Sequence, residues 1–338
     1  MKRLRPIAAV LLLGVAAAAF VTYELATPYG AFPAPAFLDF PKGTSTRQIG
    51  DRLAAAGIIR HCWDLLIVRT LRFNATVQAG EYRFSAPASA WDIYDRMARG
   101  DIFYYELKVP EGKNMFDIAA SVERLGVFSA AQFLTVARNP ALIRDLDAQA
   151  PTLEGYLFPD TYRLSHHTNP EALCRIMTGR FRSVWSGLRT DAAAHRIVTL
   201  ASLVEKEGKL ADERPMIAAV FARRLAIGMK LDCDPTTIYA ALLEGNYDGA
   251  IHRSDLASGN PYNTYQHAGL PPGPIANPGL ASLEAALNPS AADYLYFVAR
   301  ADGSGGHRFA SSLSAHEANV ADYRRASAKQ TRSPAASR

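Results

Sequence analysis

Hydrophobic and polar positions follow three different patterns along this chain, and each predicts different elements. Ile7 to Tyr23 (IAAVLLLGVAAAAFVTY) carries no charge over seventeen positions, the short limit for a helix that spans a bilayer. Residues 26–36 (ATPYGAFPAPA) are rich in Pro, Ala and Gly and read as a linker. A turn and an amphipathic helix then occur twice. Residues 40–59 read FPKGTSTRQIGDRLAAAGII and residues 109–128 read VPEGKNMFDIAASVERLGVF. Pro41 and Pro110, Gly43 and Gly112, Ile49 and Ile118, and Gly57 and Gly126 all match at one offset of 69 residues. Between the copies, Gly80 to Phe84 alternates like a strand, and Trp91 to Ala98 reads as a short helix. Ser129 to Ala150 is expected to be helical.

The third pattern is in Asp191 to Lys209 (DAAAHRIVTLASLVEKEGK), where Ala, Leu and Glu dominate. Asp191 is a plausible N-cap, and Gly208 ends the helical pattern. Ile197, Leu200, Leu203 and Val204 fall on one face. Glu207 lies three, four and seven residues after Val204, Leu203 and Leu200, so it continues that stripe, whereas Glu205 points away. A carboxyl set into an apolar face loses hydration, and the negative end of the helix dipole acts in the same direction. Glu207 is therefore expected to hold its proton more tightly than usual, as a general acid must. Glu205 is expected to be solvated and ionised. By periodicity alone, a buried ion pair of Glu207 with Arg214 or Arg224 is the commoner outcome.

Composition and charge narrow the function classes. The chain has 338 residues, 49% hydrophobic and 20% charged, which is ordinary for a globular protein of two or three domains. The net charge of +5 is concentrated at the ends. Lys2, Arg3 and Arg5 precede the apolar run, and Arg324, Arg325, Lys329, Arg332 and Arg338 lie in a tail without acids. These eight charges exceed the total of +5, so the body is net negative and a nucleic-acid-binding face is not expected. Basic residues before the run predict a cytoplasmic N-terminus and an exported remainder. A retained anchor is favoured over a cleaved signal peptide, because the apolar run continues into Phe20, Val21 and Tyr23. Cys62, Cys174 and Cys233 show no zinc-type spacing, so neither a metal nor a cofactor is expected and buried free thiols are favoured.

The remaining motifs are turns and aromatics. Glu154 to Tyr162 reads EGYLFPDTY, Tyr262 to Tyr265 reads YNTY, and Gly269 to Gly279 reads GLPPGPIANPG. Aromatic rings interleaved with Asn, Asp and Thr suit carbohydrate, although each motif alone is consistent with ordinary turn chemistry. Together with ASLVEKEGK, ERPMIAAVFARRLAIGMKLDCDPTTIY, NPS, YLYFV and GGHRF, in this order, they resemble the endolytic murein transglycosylases of the MltG or YceG-like family. The turn-helix repeat resembles a LysM-like module; the alternative is a recurrent unit without a ligand.

The resemblance covers nearly the whole chain and implies an α+β architecture. Residues 1–6 would be cytoplasmic, 7–25 a transmembrane helix, 26–38 a linker and 39–128 a small LysM-like α/β subdomain. Residues 129–152 would be a connecting helix, 153–323 a mixed α/β catalytic domain with its acid on a helix, and 324–338 a disordered basic tail. The protein would be a single-pass inner-membrane protein with a periplasmic catalytic domain. Its partners would be peptidoglycan glycan strands, penicillin-binding proteins and other wall-synthesis proteins, with the membrane held through the N-terminal helix. The second glutamate of the EKE segment, Glu207, would be catalytic. Cleavage of the N-acetylmuramic acid to N-acetylglucosamine bond would form a 1,6-anhydro ring and terminate nascent strands. Glu154, Asp160, Tyr162, Arg214, Tyr262, Asn263 and Tyr265 are the candidate substrate-binding residues. The family often carries Thr or Ser after the acid; Gly208 stands there, leaving one orienting hydroxyl fewer. The competing readings are a lysozyme-like hydrolase and a wall-binding scaffold without catalysis.

Overall fold

The structure, a computed structural model, describes residues 4–33 and 35–332. It is a mixed α/β chain divided into two units, Met1–Tyr105 and Glu106–Arg338. The first unit begins with helix α1 (Leu4–Ala26). Its stretch Ala9–Ala26 has a mean hydropathy of 2.0 and is long and apolar enough to cross a membrane. Strand β1 (Ala36–Phe40), helices α2 (Thr46–Ala55) and α3 (Cys62–Leu71) and strand β2 (Gly80–Phe84) follow, then α4 (Ala90–Arg99). β1 and β2 pair antiparallel, with Leu38 opposite Tyr82 and Phe40 opposite Gly80. Phe40, Leu53, Leu65, Tyr82, Ile93 and Met97 form the core beneath them.

Residues 27–33 differ from the expected free linker. Tyr29 and Ala88 exchange backbone hydrogen bonds of 3.0 and 3.2 Å, and the Ala31 N–H donates to the Gly57 carbonyl. Leu25, on the last turn of α1, is only 1% exposed and belongs to the same core. Backbone pairing and a buried side chain together outweigh the Pro- and Gly-rich composition.

Strand β3 (Tyr105–Lys108) leads into the second unit and pairs with β4 (Thr161–Leu164). Between these lie α5 (Met115–Arg124) and α6 (Ala130–Ala137). The single helix expected from Ser129 to Ala150 therefore stops at Ala137, before the 3-10 turn Pro140–Leu142. The remaining elements are α7 (Pro170–Gly187), α8 (Ala194–Glu207), α9 (Arg214–Ala226), α10 (Asp234–Glu244), α11 (Arg253–Ala257) and α12 (Leu280–Leu287), then strands β5 (Tyr296–Ala299) and β6 (His307–Ala310) and helix α13 (Leu313–Arg332). β5 and β6 form an antiparallel hairpin. The tail expected to be disordered from 324 instead continues α13 as far as Arg332; the rest of it lies outside the described residues.

The two repeat copies adopt the same local structure, one in each unit. Gly43 and Gly112 have φ of 90° and 75°, so each Pro-x-Gly turn uses the left-handed region that glycine enters without penalty. Each following helix opens with a capping box, Ser45 with Gln48 and Asn114 with Asp117.

α8 is the centre of the second unit, packed by α9, α10 and α12. Residues Val198 to Val204 are all buried, so the helix is enclosed on every side rather than along one stripe. Its N-cap is Ala193 rather than Asp191, which is exposed.

Candidate functional site

Glu207 is the last residue of α8, and Gly208 follows as the C-cap. Gly208 has an ordinary φ of −83°, so its importance is space. A Cβ there would come within 2.9 Å of Arg214 Cγ and 3.0 Å of the Val204 carbonyl oxygen. Glycine thus lets the Arg214 stem lie against the helix end, where its Nε donates to the Gly208 carbonyl at 3.3 Å.

The two glutamates of the EKE segment have different surroundings, but both are sheltered. The Glu205 side chain is only 5% exposed, contrary to the solvated position expected. Arg214 donates to its Oε1 at 3.0 Å, and the Gly279 N–H donates to its Oε2 at 3.0 Å. Because α8 is enclosed by helices, pointing away from one stripe brings a side chain to another packed surface. Glu207 has no such cation. The Cys233 thiol donates to its Oε1 at 3.3 Å, and among the described residues no lysine or arginine pairs with it. Burial raises the Glu207 pKa above the ordinary carboxylate value; the thiol opposes this, the nearby Asp234 charge adds to it, and His307 and Lys206 oppose it.

A cavity of about 400 Å³ opens beside this carboxyl. Arg224, Cys233, Asp234, Tyr265 and Tyr296 line it with Glu207. Leu313 and His316 of α13 also reach it. The Arg224 guanidinium lies 5.4 Å above the Tyr296 ring, and the His316 ring stacks on Tyr296 at 5.0 Å. Arg224 donates to the carbonyls of Leu295 and Leu231 at 2.7 and 2.8 Å, which fixes the β5 entry against the end of the 229–233 loop. Its pKa is lowered by burial. Such a wall can hold a ring face and hydroxyls, with a carboxyl of raised pKa at its edge.

The structure separates the predicted site residues into two groups. Tyr265 joins Glu207 at the cavity, and its hydroxyl donates to Asp234 Oδ1 at 2.6 Å. Glu154 is instead 1% exposed, accepting from the Met115 N–H at 2.9 Å and the Asn277 amide at 2.8 Å. Asn277 also accepts from the Gly155 and Leu157 N–H groups, both at 2.9 Å, so the EGYLF and GPIANPG segments are stitched together. Asp160 pairs with Arg180 at 2.7 Å on the surface. The Tyr162 hydroxyl donates to the Phe158 carbonyl. Tyr262 packs on Tyr239, ring centres 5.1 Å apart. Asn263 is fully buried and donates to the carbonyls of Asp255, Leu256 and Ser258. Arg214 is engaged by Glu205 and, at 3.7 Å, Glu111. Glu213 accepts the His307 N–H at 2.9 Å and lies 2.8 Å from its Nδ1, tying the start of α9 to β6.

Sequence reasoning missed Cys233, Tyr296 and His316. The first two lie inside quoted motifs, directly before DPTT and within YLYFV. His316 lies in no motif, and nothing short of the fold brings α13 to the cavity. All three cysteines are free thiols. Among the described residues no group of His, Cys, Asp and Glu could hold a metal ion.

The chain as a whole is similar to known proteins. The profile of the YceG-like family matches residues 38–322, and the chain belongs to that family. An endolytic murein transglycosylase of Bacillus subtilis is 31% identical over 287 residues, covering 79% of each chain. One of Streptococcus pneumoniae is 30% identical over 319 residues, 84% of this chain but only 57% of that protein's length. The crystal structure of a yceG-like protein of Listeria monocytogenes is 29% identical and superposes with a TM-score of 0.54, covering 84% of this chain and 98% of that one.

Proposed function

We propose that this chain is an endolytic peptidoglycan lytic transglycosylase, a lyase, with Glu207 as its catalytic acid. The relatives that carry this activity in their names support the class. The observation that carries the choice of acid is the contrast at the end of α8. Glu205 is neutralised by Arg214, whereas Glu207 borders a cavity, has a raised pKa and, among the described residues, pairs with no lysine or arginine.

In the proposed reaction the Glu207 carboxyl protonates the oxygen between N-acetylmuramic acid and N-acetylglucosamine. The resulting carboxylate accepts the proton of the muramyl C6 hydroxyl, which attacks C1 and closes the 1,6-anhydro ring. No water enters, so no second carboxylate is required to activate one, unlike ordinary glycosidases. Arg224, Tyr265 and Tyr296 would hold the sugar beside the acid. Helix α1 would anchor the chain in the inner membrane with its N-terminus cytoplasmic, so that the second unit would meet newly made glycan beside penicillin-binding proteins and terminate its growth. Residues 39–128 would be a LysM-like region; the strand–helix–helix–strand order of β1, α2, α3 and β2 supports that likeness for its first half. Retention of residues 20–105 on insoluble peptidoglycan, against its loss, tests whether that region holds glycan.

A lysozyme-like hydrolase is the second reading, because Asp232 and Asp234 also line the cavity. Mass spectrometry of digested glycan strands separates the two. Anhydro ends support the transglycosylase, and reducing muramic ends the hydrolase. The full chain in detergent with Glu207→Gln should lose at least about a hundredfold in strand cleavage, the scale of general-acid catalysis. Undiminished cleavage would remove Glu207 from the mechanism.

A further inference from the structure

Cys233 is buried, yet its thiol is spent on one polar contact, Glu207 Oε1 at 3.3 Å. The segment carrying it is held unusually firmly. The Cys233 N–H donates to Thr264 Oγ1 at 3.1 Å, and the Cys233 carbonyl accepts from Thr236 Oγ1 at 2.6 Å. Thr236 and Thr264 also meet through their hydroxyls at 2.9 Å, and the Thr264 N–H donates to Thr236 Oγ1 at 3.2 Å. The DPTT and YNTY motifs therefore close a frame around the backbone of one cysteine. Asp232, just before it, adopts a left-handed φ of 48°, a conformation that asparagine and aspartate tolerate best and that a well-determined surrounding must maintain.

We propose that Cys233 is the positioning residue for Glu207, its thiol fixing the rotamer of the acid and which of its oxygens carries the proton. This deepens the reading of Glu207 as the acid and rests on it. With Oε1 accepting from the thiol, the carboxyl proton is directed to Oε2. A thiol is a weak donor, so it orients the carboxylate without stabilising it as strongly as a hydroxyl or an N–H would. Burial thus still wins, and Glu207 stays above its ordinary value. The thiol itself is pushed well above its ordinary pKa by burial and by the Glu207 charge, so it remains a protonated donor. The other groups acting on Glu207 are Asp234 from α10, His307 from β6 and Lys206 from α8. Arg224, Asp232, Tyr265 and His316 share the cavity, and none is hydrogen-bonded to the Glu207 carboxyl.

The test is kcat/KM against pH for the full chain in detergent on purified glycan strands. It compares the wild type with Cys233→Ala, Cys233→Val, Cys233→Ser and Glu207→Gln. Removing the donor should cost about tenfold at the wild-type optimum and move the alkaline limb up by roughly half to one pH unit, because the carboxylate loses a stabilising partner. Valine carries the test if alanine opens a cavity that unfolds the site. Serine should recover most of the rate and bring the limb back to or below its wild-type position. Ala and Val profiles that superimpose on the wild type, beside an inactive Glu207→Gln, overturn the positioning role and leave the acid in place. A rate loss without movement of the limb and without rescue by serine shows a merely structural role and also overturns it. An active Glu207→Gln instead defeats the underlying reading of the acid.

Discussion

Arg214 reaches back along the end of α8 to hold Glu205 at 3.0 Å, nine residues before it in the chain. Both side chains are largely buried, 12% and 5% exposed, so removing one partner strands a charge out of water. Arg214→Met and Glu205→Gln should each lower unfolding stability by about 3 kcal/mol, and the double variant should lose less than their sum. Denaturant unfolding checks this; equal and additive losses below about 0.5 kcal/mol, the scale of exposed pairs, would count against a buried pair.

The pH dependence of activity follows from the sign of the Glu207 shift. An acid with a raised pKa is protonated below it and loses its proton as pH rises through it. The alkaline limb of kcat/KM should therefore lie above the ordinary value of 4.5 and disappear in Glu207→Gln together with the activity. A limb that persists in Asp234→Asn, moved only downward because a charge that raises the Glu207 pKa is gone, and that also moves with Glu207→Asp, belongs to Glu207.

Stability should also depend on pH through Glu154. Burial outweighs the Met115 N–H donor and raises this group from 4.5 to about 8. Between those values the folded chain holds a proton that the unfolded chain has lost, so stability is fully present below 4.5 and falls as pH rises towards 8. Thermal unfolding from pH 5 to 8 should show this slope in the wild type and a flatter one in Glu154→Gln.

Gly155 tests the stitched loops. Its φ is 87°, and a Cβ would lie 2.5 Å from the Pro274 ring and 2.8 Å from Val198 Cγ1. Gly155→Ala should cost about 3 kcal/mol, combining the left-handed penalty with overpacking against a rigid ring. Asn277→Ala should cost a similar amount, because the buried Gly155 and Leu157 N–H groups lose their acceptor. Unfolding midpoints of the two variants measure both effects.

The sequence was most informative where chemistry is local. The turn glycines and the Gly208 stop are written in short spacings, and the structure bears these out, whereas the N-cap of α8 passes from Asp191 to Ala193. The phase argument on α8 was weaker, because it assumes one buried face, and a helix enclosed by α9, α10 and α12 has none to spare. The partners of Glu205 come from positions 214 and 279, and that of Glu207 from 233, separations that no periodicity encodes. The aromatic motifs had the opposite ambiguity. YNTY reads equally well as a sugar wall or as a turn, and its Asn263 is spent on loop carbonyls while Tyr265 reaches the cavity.

A soluble fragment beginning at residue 20 should be more stable than one beginning at 27, by about 2 kcal/mol, because the shorter one discards Leu25 from the first unit's core. Equal melting temperatures would show that the last turn of α1 is dispensable.

That last turn also decides how far the first unit can stand from a lipid surface. Glu24 pairs with Arg60 at 3.5 Å, and Leu25 is already inside the fold, so the part of α1 left for hydrocarbon ends near Phe20. From Ile7, where the uncharged run begins, this gives about 21 Å of helix at 1.5 Å per residue, less than the roughly 30 Å of a bilayer core. A span this short, without slack at its outer end, would hold the first unit flush against the headgroups of any bilayer it crossed and thin that bilayer around it.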